Sequence, residues 1–200
     1  MSSLRIGVLS LQGDFREHIR SVESCGHQAL GLNRANELAS IDGLILPGGE
    51  STTIMKLAES FNLTQPIREF IASGAPVYGS CAGMILLADE ISGAPVAQAG
   101  FGGIDITVRR NAFGRQVDSF ESAIEFQGIL DSPVMGIFIR APWVERVGKD
   151  VEILASVESG SGEHPVAVRE GNLLATSFHP ELTGDLRVHQ FFINEIIARR

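Results

Sequence analysis

The first half of the chain alternates short apolar runs with segments whose apolar residues recur at helical spacing. Leu4 to Leu9 is almost wholly apolar, as expected of a strand covered on both faces of a parallel sheet. Phe15, Ile19 and Val22 then fall on one side of a helix, with Asp14 placed to cap it and Glu17 three residues on. Gln28 to Leu32 and Gly43 to Leu46 predict a second and a third strand, the latter cut off by Pro47-Gly48-Gly49. Thr52 to Ser60 and Pro66 to Ser73 predict helices, Pro76 to Gly79 a fourth strand, and Ala82 to Ala88 a further helix.

The second half is richer in strands. Ile104 to Val108, Ser122 to Gln127, Val134 to Arg140, Val151 to Ser156, Pro165 to Arg169 and Leu173 to Phe178 are strand-like, several of them alternating in polarity. Asp185 to Arg200 predicts a terminal helix whose Leu186, Val188, Phe192 and Ile196 mostly share a face. Strands alternating with helices, followed by a strand-rich return, predict one α/β domain over residues 1–200 with a mixed or antiparallel extension to its sheet.

Charge narrows the partners. Sixteen basic residues against 24 acidic ones give a net charge of −8, which argues against the basic stripe that nucleic-acid binding needs. No window approaches the roughly 18 uninterrupted apolar residues of a membrane span. The apolar run from Ile6 to Leu11 is too short for a secretory signal. Cys25 and Cys81 form neither a disulfide scaffold nor a C-x-x-C pair. A cytoplasmic protein with no membrane or nucleic-acid partner is therefore expected.

The sharpest chemical signal is Val77-Tyr78-Gly79-Ser80-Cys81-Ala82-Gly83, where an apolar strand enters G-x-C-x-G and then an apolar helix. A side chain at the tip of such a turn needs a strained backbone and small neighbours, and Gly79 and Gly83 supply them. A buried structural cysteine is the plain alternative. A nucleophilic cysteine also needs a base. Ser177-Phe178-His179-Pro180-Glu181 closes the last strand, and Pro180 biases His179 towards an extended backbone. Residues i and i+2 of an extended segment project to the same side, so Glu181 can orient His179. His18 and His189 fall on helices and are expected to face solvent or a partner, while Cys25 is expected in the core.

A third element, Leu46-Pro47-Gly48-Gly49-Glu50-Ser51, ends a strand with two glycines whose exposed N–H groups could receive an oxyanion. Its joining peptide can reorient at little steric cost. Gln12-Gly13 is expected at the same sheet edge, where it could sense a docking partner. No P-loop, dinucleotide fingerprint or metal-ligand spacing is present, so neither cofactor nor metal is expected.

PGGEST, GSCAG and SFHPE together resemble the class I glutamine amidotransferases. VLSLQGDFREH (8–18), RNAFGRQVDSFE (110–121), FIRAP (138–142) and ATSFHPELT (175–183) further resemble the family of glutaminase subunits of pyridoxal 5′-phosphate synthases. The resemblance spans essentially the whole chain. It implies a three-layer, flavodoxin-like mixed sheet flanked by helices and bearing a nucleophile elbow. It also implies that Cys81 attacks the carboxamide carbon of L-glutamine, that His179 shuttles the proton to departing ammonia, and that Glu181 orients His179. The N–H groups of Gly49 and Ala82 would form the oxyanion hole. Gly49, Glu50, Ser51, Arg110, Ile139 and Arg140 would bind the amino-acid moiety of glutamine. Ammonia would pass to a separate synthase subunit that condenses it with a pentose phosphate and a triose phosphate. A glutaminase serving another amidotransferase, and a non-catalytic subunit of the same fold, are the alternatives.

Overall fold

The computed structural model describes residues 3–93, 98–112, 119–160 and 162–198. In chain order the first elements are β1 (Arg5–Leu9), α1 (Phe15–Ser24), β2 (Gln28–Leu32), β3 (Gly43–Leu46), α2 (Ser51–Ser60), α3 (Thr64–Ala72), β4 (Val77–Ser80) and α4 (Ala82–Leu87). There follow β5 (Ala88–Ser92), β6 (Ile104–Arg109), β7 (Ser119–Ile124), β8 (Val134–Ile139) and β9 (Trp143–Val147). The chain closes with β10 (Glu152–Ser159), β11 (Gly162–Glu170), β12 (Leu173–Thr176) and α5 (Arg187–Phe191).

Seven strands form the main sheet in the order β10-β11-β12-β4-β3-β1-β2. The five from β12 to β2 are parallel, and β11 and β10 extend the sheet antiparallel. The parallel part, read from β2, has the flavodoxin-like order, and the antiparallel pair is the predicted extension. Its strands are apolar on both faces because both are covered. Leu44 and Leu46 of β3, Val77 of β4, and Leu173 and Ala175 of β12 join a core with α2, α3 and α4. The intervening Ile45, Tyr78 and Leu174 join a second core with Val22 of α1 and with Phe191 to Ile197 near the C-terminus. Alternation along the strands thus divides two helical layers between opposite faces. A three-stranded sheet, β5-β6-β9, packs into the first core through Ile104, Ile106, Val108 and Val144. The β7–β8 hairpin packs into the second through Ile124, Val134 and Phe138.

Several elements differ from the expectation. The strand predicted over Ser122 to Gln127 lies at Ser119–Ile124, and β5 and β9 were not predicted. The terminal helix is α-helical only over Arg187–Phe191 and continues as a π-helix over Phe192–Ile197. The wider winding turns Phe192, Ile193, Ile196 and Ile197 into the core.

The join between β4 and α4 explains its glycines. A Cβ on Gly79 would lie 2.5 Å from the Gly83 carbonyl, and one on Gly83 would overlap the backbone oxygen of Leu46. The first turn of α4 therefore presses directly on the end of β3, which no side chain would allow. Gly83→Ala is expected to cost about 1–3 kcal/mol by overpacking, lowering Tm by several degrees, whereas Gly160→Ala, which meets open space, leaves it unchanged. Equal Tm values for the two variants would contradict this close-approach account.

Candidate active site

Because β1, β3, β4 and β12 are parallel, the loops after them gather at one edge of the sheet, where doubly wound folds place their ligands. Cys81 stands at this edge with φ +48° and ψ −100°, a left-handed conformation rare for a side-chain-bearing residue. It persists because both flanks are pinned. The Cys81 N–H donates to the Thr176 carbonyl at 2.7 Å, and the Cys81 carbonyl accepts from Met84 N–H at 3.1 Å. The thiol-bearing residue is 6% exposed.

His179 follows β12 and is held by its own N–H, which donates to the Ile137 carbonyl of β8 at 2.9 Å. Its imidazole lies within electrostatic reach of the Cys81 side chain, and its Nδ1 lies 2.8 Å from Glu181 Oε1. The pairing of His179 with Glu181 is as expected, but the reason is different. Pro180–Leu182 is a 3-10 turn, so Glu181 reaches the imidazole by the chain curling back rather than along an extended strand. Burial alone would disfavour a charged His179, yet the Cys81 and Glu181 side chains outweigh it and push its pKa up to about 11. Glu181 is likewise opposed by burial, but His18 and His179 hold its carboxyl well below the usual carboxylate range. The environment thus favours the protonated form of an imidazole set between Cys81 and Glu181.

A cleft opens beside Cys81, lined by Gly49, Glu50, Ser51, Arg110, Ile139 and Arg140, together with Ile85 and Asn111, which were not anticipated. Glu50 caps α2 by accepting from the N–H groups of Thr52 and Thr53. Although desolvation opposes it, these bonds and those from the two threonine hydroxyls lower its pKa to about 2. The same carboxylate accepts from Arg110 Nη2 at 3.0 Å, and Gln98 accepts from Arg110 Nη1 at 2.7 Å. A guanidinium fixed in this way can meet an incoming carboxylate. Arg140 and Asn111 have φ of +43° and +48°, so the cleft holds strained backbone on two further sides.

The glycine turn is wedged among these groups. A Cβ on Gly48 would overlap the His179 ring, and one on Gly49, at φ +148°, would lie 2.6 Å from Gln12 Oε1. The β1–α1 loop clasps the turn from the other side. Gln12 Oε1 accepts from Glu50 N–H at 2.8 Å, and Asp14 N–H donates to the Gly48 carbonyl at 3.1 Å. Ala82 follows Cys81 as the first residue of α4, and residues 113–118 of the RNAFGRQVDSFE segment lie outside the described residues.

With that geometry in place, a model of the SNO glutamine amidotransferase family matches residues 8–198. The chain belongs to the SNO glutamine amidotransferase family. It is 58% identical to the pyridoxal 5′-phosphate synthase subunit PdxT of Mycolicibacterium vanbaalenii, over 96% of this chain and 98% of that protein. It is 57% identical to the PdxT of Arthrobacter sp. (strain FB24), over 98% and 93% of the two chains. Among solved structures, a glutamine amidotransferase superposes with a TM-score of 0.87 at 45% identity, over 96% of this chain and 98% of that one. A putative GMP synthase subunit from Thermoplasma acidophilum superposes with a TM-score of 0.69 at 19% identity, over 100% and 96%, and shares the fold.

Within this SNO-family site the structure corrects three expectations. His18 and His189 do not face solvent: both are wholly buried, they face each other, and His18 also faces Ser80 and Glu181. Asp14 makes no side-chain cap to α1, and its Oδ2 instead lies 3.5 Å from His179 Nδ1. Cys25 is half-buried against the second core, and both cysteines are free. A signal for the histidines was available in the spacing. His18 lies three residues after Phe15 and four before Val22, on the apolar stripe of α1, and His189 lies three after Leu186 and three before Phe192. Among the described residues, Asp14, His179 and Glu181 alone bring three ligand-capable atoms within 4.8 Å of one another, and that set surrounds the His179 imidazole.

The depressed carboxyl of Glu181 sets a pH dependence. Its folded-state pKa lies below the unfolded value of roughly 4.3, so its stabilisation is present above that pH and lost as pH falls below it. Tm is therefore expected to fall less between pH 6 and pH 3 in Glu181→Gln than in the unmodified chain. Equal falls would show that the carboxylate is not preferentially stabilised by the fold.

Proposed function

We propose that this chain is the glutaminase subunit of a pyridoxal 5′-phosphate synthase, one domain over residues 1–200 that works in a hetero-oligomeric complex with the synthase subunit. The relatives' shared name and the family match support that assignment. The observation that carries the chemistry is Cys81 in a left-handed turn, its side chain acting on a His179 that Glu181 holds at 2.8 Å. No helix among the described residues is long and apolar enough to cross a membrane.

L-Glutamine lies in the cleft with its α-carboxylate towards Arg110 and its amino group towards the Glu50 side. Cys81 Sγ, its proton passed to His179, attacks the carboxamide carbon, and the oxygen becomes an oxyanion received by the N–H groups of Ala82 and Gly49. His179, already protonated, gives its proton to the nitrogen as the C–N bond breaks and ammonia departs. Water then attacks the thioester while His179 takes its proton, the C–S bond breaks, and glutamate is released with Cys81 restored. Glu181 keeps Nδ1 of His179 protonated throughout, so the other nitrogen faces the sulfur. Gly49, Ser51 and the Ile139-Arg140 backbone frame the amino-acid end. Ammonia passes to the synthase subunit.

Cys81→Ala is expected to abolish glutamine hydrolysis with Tm little changed, and Cys25→Ala to leave turnover intact. Wild-type activity in Cys81→Ala, measured as glutamate release, would overturn the assignment.

Turnover is also expected to depend on the partner. The β1–α1 loop clasps the Gly48-Gly49 turn through Gln12 and Asp14, so docking on that loop can aim the Gly49 N–H. A missing oxyanion donor costs about 10²–10³ in rate. The isolated chain should accordingly be slower than the complex by about that factor, and Gln12→Ala should narrow the difference. Equal turnover with and without the synthase subunit would remove partner gating and leave the glycine pair as a tight turn.

A further inference from the structure

Behind the triad lies a second pair of buried imidazoles that hydrolysis as derived above does not use. His18 comes from α1 and His189 from α5, 171 residues apart, and neither is exposed to solvent. Their rings meet at 2.9 Å, His18 Nδ1 to His189 Nε2. The other nitrogen of His18, Nε2, lies 2.9 Å from Ser80 Oγ and 3.4 Å from Glu181 Oε1. Tyr78 stands edge-on to both rings, at interplanar angles of 82° and 88°, and so fixes their planes.

The proton positions follow from which atoms lack partners. His189 Nδ1 is buried with no hydrogen-bond partner. An orphaned N–H is costlier and rarer than an orphaned lone pair, so His189 Nδ1 is bare and its proton sits on Nε2. That N–H donates to His18 Nδ1. His18 must then carry its own proton on Nε2, which donates to Ser80 Oγ at 2.9 Å and stands 3.4 Å from Glu181 Oε1. Burial lowers the pKa of His189 to about 3, consistent with a neutral ring that carries a single proton.

We propose that His18, seated by His189, is a positioning residue for glutamine hydrolysis: it sets the polar edge of its ring against Glu181 and ties the orienting acid to the nucleophile turn through Ser80. The inference rests on the reading of Cys81, His179 and Glu181 as the triad. Glu181 is the single buried carboxylate among the described residues, and one of its oxygens, Oε2, has no partner. Everything that keeps it ionised and still must therefore converge on Oε1. His179 supplies one donor there from the same turn, and a single bond leaves the carboxylate free to swing about it. His18 supplies a second, longer polar contact at 3.4 Å from a different layer of the fold. Leu or Phe would suit the apolar stripes of α1 and α5 equally well, so packing alone gives no reason for two polar rings at these positions. Ser80 immediately precedes Cys81, so the chain from His189 through His18 reaches both the acid and the nucleophile without touching the glutamine cleft.

The test is steady-state glutamine hydrolysis by the complex with the synthase subunit, using three substitutions at one position. His18→Leu removes both polar contacts. His18→Asn keeps an amide where Nδ1 meets His189 but withdraws the outer donor, and His18→Gln restores an N–H donor at the reach of Nε2. His18→Leu and His18→Asn are expected to lower kcat by about 10- to 100-fold, the scale of losing a group that orients a reactive one, with KM unchanged because the cleft is intact. His18→Gln should recover most of kcat. Wild-type kcat in a folded His18→Leu would overturn the proposal, as would equal kcat for His18→Gln and His18→Asn, a comparison that decides the matter even if His18→Leu does not fold. Cys81→Ala assayed alongside separates the two claims: activity there would sink the triad itself, whereas an inactive Cys81→Ala beside an undiminished His18→Leu sinks the positioning role alone.

Discussion

Everything at the site depends on a backbone constraint: a cysteine held at φ +48° where a parallel strand turns into a helix with no spare residue between them. That conformation is costly for a residue with a Cβ, by roughly 1–3 kcal/mol, and the surrounding chain must over-determine it. The Thr176 carbonyl anchors its N–H from the neighbouring strand, and the glycines on either side let α4 lie against the end of β3. The strain raises the thiol at the edge of the sheet, where the loops after β1, β3 and β12 converge. Parallel pairing is what makes them converge, since it brings the carboxyl ends of those strands together.

The second requirement is electrostatic. A carboxylate as deeply buried as Glu181 would ordinarily take up a proton, and it stays ionised because imidazoles from its own turn and from α1 face one of its oxygens. Its charge in turn helps to raise the pKa of His179 beside Cys81, as the proposed proton transfer to ammonia requires. Fold and chemistry meet in this arrangement. α1 and α5 pack on one face of the sheet through apolar stripes, and each stripe carries one histidine inward, His18 against the carboxylate and His189 behind His18.

Much of this was legible in the chain, for reasons that can be stated residue by residue. Cys81 is marked by glycines two positions away on each side, because a close approach of backbone leaves a compositional trace. The strand order could not be read, because parallel strands share the same apolar pattern wherever they sit. β9 was missed because Glu145 and Arg146 interrupt a strand that packs into the core by Val144. His18 and His189 were misplaced because polarity was weighed above spacing; on a helix the stripe decides which way a residue points, and theirs points inward. Asp14 was misplaced for a related reason: it has the chemistry of a cap, but its carboxylate is drawn to His179 rather than to its own helix. The π-helical winding of Phe192–Ile197 leaves no mark in a run of apolar residues that would also suit an α-helix.

The central claim is that one of two cysteines is a nucleophile because the fold makes it so. It is tested most directly by exposing the complex to a glutamine analogue that carries an electrophilic carbon in place of the carboxamide, then mapping the adduct by intact-protein and peptide mass spectrometry. A single covalent adduct on Cys81, suppressed by excess glutamine and greatly slowed in His179→Ala, is the predicted result. An adduct on Cys25, or labelling of Cys81 that neither glutamine nor the loss of His179 affects, would contradict the account.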